Sequence, residues 1–474
     1  MSINLKLSAS ASGTRNTFDR TVNFVSTYGG ASGGSKATND AALSSFNTAY
    51  AAFSGRTQLL IPPGDYDFTQ AVWGSLGGDK LTITATGATL RGQLGFANSG
   101  LSNDNTHHAN IVTVSAGAST VTLVTGAQTS RFTSGQWVLV TEGDLQGFGY
   151  PVNPWKFEYK QILSIGSGTL TFTAPLDKSY SSTFPNYGAG DATHIYQGGP
   201  ATVYALLPAW NQEVELVGAY MPTTSDGLFY GKTRVAKYTN CSWETYGPCP
   251  TVNVLYRMLR CDTPGTGGIE VDKLVQRMEI IDSTPSRVDF QSPSVNDLYV
   301  TGSTSSVRFR GGCGDGTAYI NGLDTPEFRF GPTSYGVAKG AISVINCNSA
   351  NATWSPGYEA NFSDFTEAGG GVLSIVTAVP IPWAVPGAYC VLTNTADAFA
   401  VSFQVTDVTA SGGTTSISTT LPFPVPGTIN GKTSPWIIHP HPGADVTATN
   451  CTGSSLFTSQ SLLPAHSPLF GWTL

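Results

Sequence analysis

The sequence predicts an all-β protein built as a parallel β-helix, a solenoid whose short strands stack coil on coil. Three observations predict this fold. The 474 residues include 12% charged and 40% hydrophobic residues with 54 glycines, a composition typical of an extended β protein with few surface charges. Most segments alternate apolar and polar residues over four to six positions between turn residues. Residues 240–348 contain an internal repeat of about twenty residues.

The net charge, the apolar runs and the cysteines of the sequence exclude several classes of protein. A formal net charge of −7 opposes nucleic-acid binding, which needs a basic surface to neutralise phosphates. No run of about 18 apolar residues predicts a membrane span. Residues 1–34 lack the apolar segment of a secretory signal, so we expect synthesis in the cytoplasm. Seven cysteines without a C-x-x-C spacing predict reduced core thiols, and the histidines lack ligand spacing, so no metal or cofactor is expected.

One amphipathic helix is predicted near the N-terminus. A polar start at Thr38 precedes an apolar stripe with helical spacing, and the helix is expected to end near Gly55. The stripe consists of Leu43, Phe46, Tyr50 and Phe53. Residues 59–68 then read as a short apolar strand, a proline-fixed turn and a second strand.

The twenty-residue repeat predicts how the coils align. Residues 257–262 are echoed by 277–282, and 298–303, 319–324 and 343–348 continue the series. This alignment predicts a polar column that stabilises turns, at spacings of 20, 20, 21, 21 and 24: Ser242, Asp262, Asp282, Ser303, Asp324 and Asn348. A second strand in each unit predicts two inner columns: Ile269, Val288, Val307, Phe328; and Val271, Phe290, Phe309, Phe330. A single unit of this length cannot bury its apolar face alone, so the units are expected to stack about 4.8 Å apart as coils of a β-helix. The leucine-rich-repeat consensus and the period of a propeller, the folds with comparable repeats, are both missing from the sequence.

A fainter repeat predicts two related β-modules outside the coils. Residues 135–141 and 159–175 resemble residues 387–393 and 402–422. The second copy begins at residue 387, 252 positions after the first copy begins at residue 135. The predicted division is an N-terminal arm (1–36), a capping helix with the first coils (37–110), an inserted β-module (111–198), the main coils (199–360) and a C-terminal β-module (361–474).

The opening of the chain resembles that of a known superfamily. Residues 22–25, a Gly/Ser turn, the helix and Leu-Ile-Pro-Pro-Gly-Asp-Tyr at 60–66 resemble pectate-lyase-like right-handed β-helix proteins, among them bacteriophage tailspike depolymerases. Residues 33–40 depart from the usual Asp-Gly-x-x-Asp-Asp-Thr. The resemblance implies right-handed coils, a helix that caps the solenoid, a bacterial polysaccharide or oligosaccharide as partner, a homotrimer, and a place on a virion tail or release by a non-classical route.

A ladder of charges is the candidate active site. Outward positions of the second strands place Glu270, Asp289, Arg308 and Arg329 in one column, and Asp272, Gln291, Arg310 and Gly331 in the next. Carboxylates at rung spacing repel, so one is expected to stay protonated as a general acid while another remains ionised. Glu270, Asp289 and Asp272 are therefore the catalytic candidates, and Arg308, Arg310 and Arg329 the substrate-binding ones. The alternative is a charge ladder that only keeps this face hydrated.

Two loops supply further substrate-binding candidates. Trp243, Glu244 and Tyr246 combine aromatic rings with a carboxylate, which suits sugar binding, although a hydrophobic loop anchor explains them equally simply. Asp144 lies in a Gly/Pro-rich loop of the inserted module and is a candidate for a cleft wall.

The predicted function is a glycoside hydrolase that depolymerises a bacterial surface or exopolysaccharide by carboxylate acid/base chemistry. Two alternatives stay open, because a fold does not define a reaction. One is a polysaccharide lyase or fructan-type transferase on the same scaffold. The other is a non-catalytic glycan-binding adhesin or structural tail protein.

Overall fold

The fold is described by a computed structural model of the chain. The structure describes residues 18–96, 107–142, 157–182, 201–222, 230–231, 233–244, 249–250, 252–263, 268–271, 274–285, 287–290, 295–302, 306–309, 317–323, 327–330, 340–349, 351–354, 360–362, 365–367, 372–376, 389–394, 399–411, 414–419, 436–440 and 444–453.

Helices and strands are numbered in chain order. The N-terminal part contains β1 (Arg20–Asn23), α1 (Phe24–Tyr28), α2 (Lys36–Ala51), β2 (Arg56–Leu60), β3 (Gly64–Trp73), β4 (Lys80–Thr84) and β5 (Ala88–Phe96). The next part contains β6 (His108–Asn110), β7 (Thr120–Thr122), β8 (Trp137–Glu142), β9 (Phe157–Gly166), β10 (Thr169–Phe172) and β11 (Ala201–Ala205).

The main coils contain β12 (Glu213–Val217), β13 (Tyr220–Met221), β14 (Tyr230–Gly231), β15 (Val235–Thr239), β16 (Ser242–Trp243), β17 (Cys249–Pro250), β18 (Asn253–Leu259), β19 (Asp262–Thr263), β20 (Ile269–Val271), β21 (Val275–Ile281), β22 (Thr284–Pro285), β23 (Arg287–Phe290), β24 (Val295–Thr301), β25 (Ser306–Phe309), β26 (Thr317–Asn321), β27 (Glu327–Phe330), β28 (Gly340–Ile345) and β29 (Asn351–Trp354).

The last part contains β30 (Ala360–Phe362), β31 (Phe365–Glu367), β32 (Val372–Val376), β33 (Tyr389–Asn394), β34 (Phe399–Ser411), β35 (Thr414–Thr419), β36 (Trp436–Pro440) and β37 (Ala444–Thr449). Two 3₁₀ helices, Gly126–Arg131 and Pro208–Trp210, complete the described elements. None of the helices in the described ranges is long and apolar enough to cross a membrane.

Parallel sheets confirm the predicted β-solenoid. The long sheet has the order β1-β2-β4-β12-β15-β18-β21-β24-β26-β28-β37 among the described strands. Every pairing in it is parallel, so each strand is one rung of a coil. The ladder sheet is formed by β20-β23-β25-β27-β29, also parallel. The third sheet contains β3, β5, β13, β16, β19 and β22, with β14 and β17 beside β5.

A single apolar core fills the coils because inward and outward residues alternate along each rung. In the long sheet, Val214, Ala236, Tyr256, Met278 and Leu298 are buried on successive rungs. The same core reaches Ile269 and Val288 on the ladder sheet. At about 25 cal/mol per Å² of buried apolar area, this continuous core is the main stabilising contribution to the fold.

From β12 to β37, each strand of the long sheet ends at a corner formed by a single residue in the left-handed backbone region. The corner residues, with φ between 47° and 75°, are Gly218, Asn240, Arg260, Asp282, Gly302, Gly322, Asn346 and Asn450. The corner amides donate to the neighbouring coil, as in Gly218 to Thr239 O at 2.9 Å and Asp282 to Thr301 O at 2.9 Å. Rung pairing therefore continues through the bend into the third sheet.

The predicted coil alignment is wrong between the second and third units. It places Arg257 beside Arg277, but the structure pairs Arg257 with Glu279, 22 residues later. A shift of two residues leaves the same side chains inside, so alternation cannot distinguish the two registers. Asp262 consequently pairs with Thr284 rather than Asp282, and the predicted polar column is interrupted there.

The predicted spacing of 21 residues in the next units is also wrong. Leu298 pairs with Ala318, and Tyr299 pairs with Tyr319. An odd shift would have turned buried Leu298 toward solvent, which the core forbids. The spacing of 24 residues that follows is confirmed, since Tyr319 pairs with Ser343.

The predicted helix is confirmed as α2. Ser35 is its N-cap and accepts a hydrogen bond from the Thr38 amide, so the helix begins two residues earlier than expected. Phe46 stacks with Tyr50 and meets Trp73 of β3 edge-on, with ring centroids 5.8 and 6.2 Å apart. The helix therefore packs on the first described coils, while its role as a cap remains a prediction.

The two predicted β-modules share one sheet topology. Module 1 has the antiparallel order β6-β11-β8-β9-β10-β7, and module 2 has the order β30-β36-β33-β34-β35-β32, extended by β31. Numbering the six shared strands within each module gives 1-6-3-4-5-2 in both cases. A bridge between Ile111 and Leu123 joins the two edges of module 1 and closes it around its own core.

Both modules occupy the same turn of the coil. Module 1 lies in the chain between β5 and β12 of the long sheet. The end of β5 pairs with β14, which pairs with β17, and β17 contacts β20 of the ladder sheet. Module 2 lies between β29 of the ladder sheet and β37 of the long sheet. Residues 361–474 thus contain a further solenoid rung besides the module.

The corner glycines provide a test of the bend. Gly218 and Gly322 have similar φ values, 75° and 73°. A Cβ at Gly218 would lie 3.0 Å from the Thr86 backbone, whereas one at Gly322 would meet no atom of the described residues within 4 Å. We expect Gly218→Ala to lower the free energy of unfolding by about 2–3 kcal/mol and Gly322→Ala by about 1 kcal/mol. Urea unfolding measures both; equal losses would contradict a packed corner.

Glu279 makes stability depend on pH. Burial alone would raise its pKa, but hydrogen bonds from Arg257 and Arg277 lower it below the ordinary glutamate value of 4.5. The folded state therefore binds a proton at Glu279 less readily than the unfolded state does. The ionised Glu279 stabilises the fold fully at pH values above 4.5, and this contribution is lost as the pH falls through the lowered pKa. Urea midpoints of Glu279→Gln should fall less steeply than those of the wild type below about pH 4.5; parallel profiles would exclude Glu279 as a source.

Candidate active-site ladder

The register of the ladder sheet agrees with the first predicted column. Glu270 pairs with Asp289, Asp289 with Arg308, and Arg308 with Arg329. The rungs are about 4.8 Å apart, as in any parallel sheet. Two acidic positions are thus followed by two basic ones along the solenoid axis. The inner columns predicted beside them also pair as expected, from Ile269 to Phe328 and from Val271 to Phe330.

Several predicted site residues lie outside the described residues. They are Asp144, Tyr246, Asp272 and Arg310. Gln291 and Gly331 of the second predicted column also lie outside them. Their roles remain as the sequence predicts them.

Trp243 and Glu244 occupy different environments. Trp243 is 0% exposed and packs edge-on against Tyr238, with ring centroids 5.5 Å apart. A buried indole offers no face to a sugar, so the structure places Trp243 in the core rather than in a binding surface. Glu244 follows it directly and is exposed. The carboxylate of this sequence motif is accessible, whereas its first aromatic ring is not.

Module 1 lies against the turns that follow the acidic rungs. Leu274 comes three residues after β20, and the Tyr159 hydroxyl of module 1 donates to its carbonyl at 2.7 Å. Asn296, on the strand after β23, donates to Phe157 O at 3.0 Å. The Trp210 indole also donates to Val252 O at 2.7 Å. These buried contacts hold the module at the start of the long-sheet strands β18, β21 and β24, on the coils that carry Glu270 and Asp289.

An ion cluster with two buried members, Glu158 and Lys160, and one exposed member, Asp177, lies beside this contact. Glu158 of β9 is 2.8 Å from Lys160, which lies 2.9 Å from Asp177. Burial would lower the pKa of Lys160, but hydrogen bonds with Glu158 and Asp177 raise it. Burial would likewise raise the pKa of Asp177, but Lys160 lowers it. The neighbouring Lys178 donates to Asn296 at 2.9 Å, so the cluster is connected to the solenoid.

The long sheet carries charged and aromatic residues that sequence reasoning did not select. Arg257 and Arg277 each donate to Glu279, at 2.5 and 2.7 Å. Tyr299 and Tyr319 stack with ring centroids 5.3 Å apart and an interplanar angle of 7°. The incorrect spacing of 21 residues hid this tyrosine pair, whereas a spacing of 20 would have found it.

Within the described ranges, no group of three or more His, Cys, Asp or Glu side chains could hold a metal ion. The thiols described there are free: Cys241, Cys261, Cys347 and Cys451.

No protein-family model and no curated protein matches the sequence. Three solved structures with similarity to the chain are phage tailspikes. The Gp54 tailspike of Acinetobacter baumannii bacteriophage AP22, in complex with A. baumannii capsular saccharide, is 8% identical over 85% of this chain and 93% of its own, with a TM-score of 0.30. The tailspike gp61 of Pseudomonas phage phi297 is 9% identical over 85% and 91%, with a TM-score of 0.29.

The tailspike protein gp49 of Pseudomonas phage LKA1 is 11% identical over 81% of this chain and 89% of its own, with a TM-score of 0.34. At such values, the parallel register of the chain itself is what establishes the β-solenoid.

The module contact can be tested by removing one hydroxyl. Tyr159→Phe removes one of two donors to the buried Leu274 carbonyl, which keeps the Asn253 amide at 3.1 Å, so the free energy of unfolding should fall by about 0.5–1.5 kcal/mol. Tyr50→Phe is the matched control, because the buried Tyr50 hydroxyl has no hydrogen-bond partner among the described residues. Urea unfolding followed by circular dichroism compares the two. Equal effects would show that the Tyr159 hydrogen bond does not hold the module.

Proposed function

We propose that the protein is a glycoside hydrolase that depolymerises a bacterial surface or exopolysaccharide on its ladder sheet. The observation that carries the proposal is the parallel register of Glu270, Asp289, Arg308 and Arg329. This register concentrates charge on one sheet of a chain that has only 12% charged residues.

The rung spacing favours a retaining reaction. Adjacent rungs are about 4.8 Å apart, close to the ~5–5.5 Å carboxyl separation of retaining glycosidases. An arginine on the next rung favours the ionised form of Asp289, which would attack the anomeric carbon. Glu270 would donate its proton to the departing glycosidic oxygen and then accept one from the incoming water. Asp272, two residues after Glu270 in the sequence, is the alternative partner of this pair.

Substrate binding is assigned to the groups around this pair. Arg308, Arg310 and Arg329 would donate hydrogen bonds to sugar hydroxyl or carboxyl oxygens. Module 1 lies at the edge of the same coils, which supports a wall on that side of the substrate. Asp144 and Tyr246 remain candidates for that wall and for a neighbouring loop. A homotrimer on a virion tail is the assembly that the sequence resemblance implies.

Loss of either carboxyl group should abolish cleavage. Glu270→Gln and Asp289→Asn should each slow depolymerisation at least about a hundredfold, because each removes a proton donor or nucleophile. Glu279→Gln is the matched control: it changes the same group on the next strand of the chain, in the long sheet. Size-exclusion chromatography of a panel of bacterial capsular and exopolysaccharides measures the rate.

The outcomes separate the rival functions. Wild-type rates in Glu270→Gln, Asp272→Asn and Asp289→Asn would exclude this site. Unsaturated uronate absorbance in the products would indicate a lyase, and transfer of fructosyl units without net hydrolysis a transferase. No size reduction of any polysaccharide in the panel would favour the adhesin or structural tail protein.

A further inference from the structure

Tyr220 is the one aromatic side chain among the large apolar residues that are exposed in the described ranges, with 40% of its surface accessible. It lies on β13 of the third sheet, on the face opposite the core. Its neighbours Ala219 and Met221 are buried, at 2% and 0%. An aromatic ring held on a rigid strand and presented to water is costly to hydrate, so a ligand that covers it would be stabilised.

The rungs on both sides of Tyr220 carry small residues at its register positions. Thr89 is its register partner on one rung and Ser242 on the other. The arrangement differs from that of Tyr299 and Tyr319 on the long sheet, where one ring covers the other at 5.3 Å. Tyr220 therefore has space beside its ring where Tyr319 has another aromatic residue.

Polar residues lie at diagonal positions on the rungs to either side of Tyr220, on the same outward face. Arg91, two residues beyond Thr89, is held by Asp65 through two hydrogen bonds of 2.8 and 3.0 Å. Glu244, two residues beyond Ser242, is exposed on the opposite side. A planar guanidinium fixed by a carboxylate on one neighbouring rung, and a second carboxylate at the diagonal position of the other, provide donors and acceptors for sugar hydroxyl groups.

The charges select among sugars. Arg91 is compensated by Asp65, and Asp67 pairs with Arg91 in register on the same face. Asp262, the register partner of Ser242, and Glu244 add further negative charge. A uronate would be repelled by this surface, whereas a neutral pyranose would not.

We propose that Tyr220, Arg91, Asp65 and Glu244 form a saccharide-binding site for a neutral pyranose, on a different sheet from the ladder. The apolar face of the sugar ring stacks on Tyr220, and its hydroxyl groups bond to Arg91 and Glu244. The site holds a glycan without cleaving it, so it does not depend on the proposed hydrolase activity. Tyr220, on the coil next to the sequence motif around Glu244, would thus supply the aromatic ring of this site.

A glycan array tests the site. The array carries immobilised neutral oligosaccharides of glucose, galactose, mannose and N-acetylglucosamine, together with uronate-containing ones, and the protein carries Glu270→Gln. We expect binding to neutral glycans, about tenfold weaker in Tyr220→Ala and retained in Tyr220→Phe. Tyr299→Ala is the matched control, since it removes a tyrosine from an outward position of another sheet, and it should bind as the parent does.

A second variant blocks the site without removing its platform. Ser242→Tyr should cover one face of Tyr220, because the stacked Tyr299 and Tyr319 show that adjacent rungs accommodate such a pair. We expect it to fold and to lose binding as Tyr220→Ala does. The proposal is overturned if both variants bind as the parent does, if no neutral glycan binds, or if uronate glycans bind best. Depolymerisation by the chain without Glu270→Gln is measured separately, so failure here leaves the hydrolase proposal standing.

Discussion

Continuous hydrogen bonding between coils is the constraint on which the rest of the structure depends. Each rung pairs in parallel with the next, and the corner residues extend this pairing around the bend. A polar backbone can surround an apolar core only if its amides and carbonyls are paired, and the left-handed corner allows this in one residue. The corners therefore accept several non-glycine residues despite the strain of positive φ, among them Arg260 and Asp282.

The same constraint organises the surface into columns. Since side chains of successive coils stand one rung apart, a single residue type repeated at the coil period becomes a ladder. Charge forms such a column on the ladder sheet, from Glu270 to Arg329. A stacked aromatic pair forms on the long sheet, at Tyr299 and Tyr319. An exposed ring stands on the third sheet, at Tyr220. Each face thus has its own chemistry although one core supports them all.

The two modules interrupt the repeated rungs at the same position within a coil, but in two different coils of the solenoid. Module 1 precedes the ladder sheet rungs and module 2 follows β29, the last described one. Their shared strand order indicates that one unit is present twice. Module 1 has its own closed core and is attached by buried contacts such as Asn296 to Phe157, so it adds a surface without disturbing the rungs. The weak sequence repeat predicted the relation, because alternating strands and a short hairpin are local features.

The sequence by itself determined the strands, the helix α2, the parallel coil and the alignment of Glu270 with Asp289, because these follow from local alternation and a repeated period. The tertiary structure decided the register where that period changes. A shift of two residues keeps the same side chains inside, so only pairing with the neighbouring rung assigned Arg257 to Glu279. It also decided that Trp243 is buried and that Tyr220 pairs with Ser242, two residues before Glu244, since such neighbours come from separate coils and no local pattern records them.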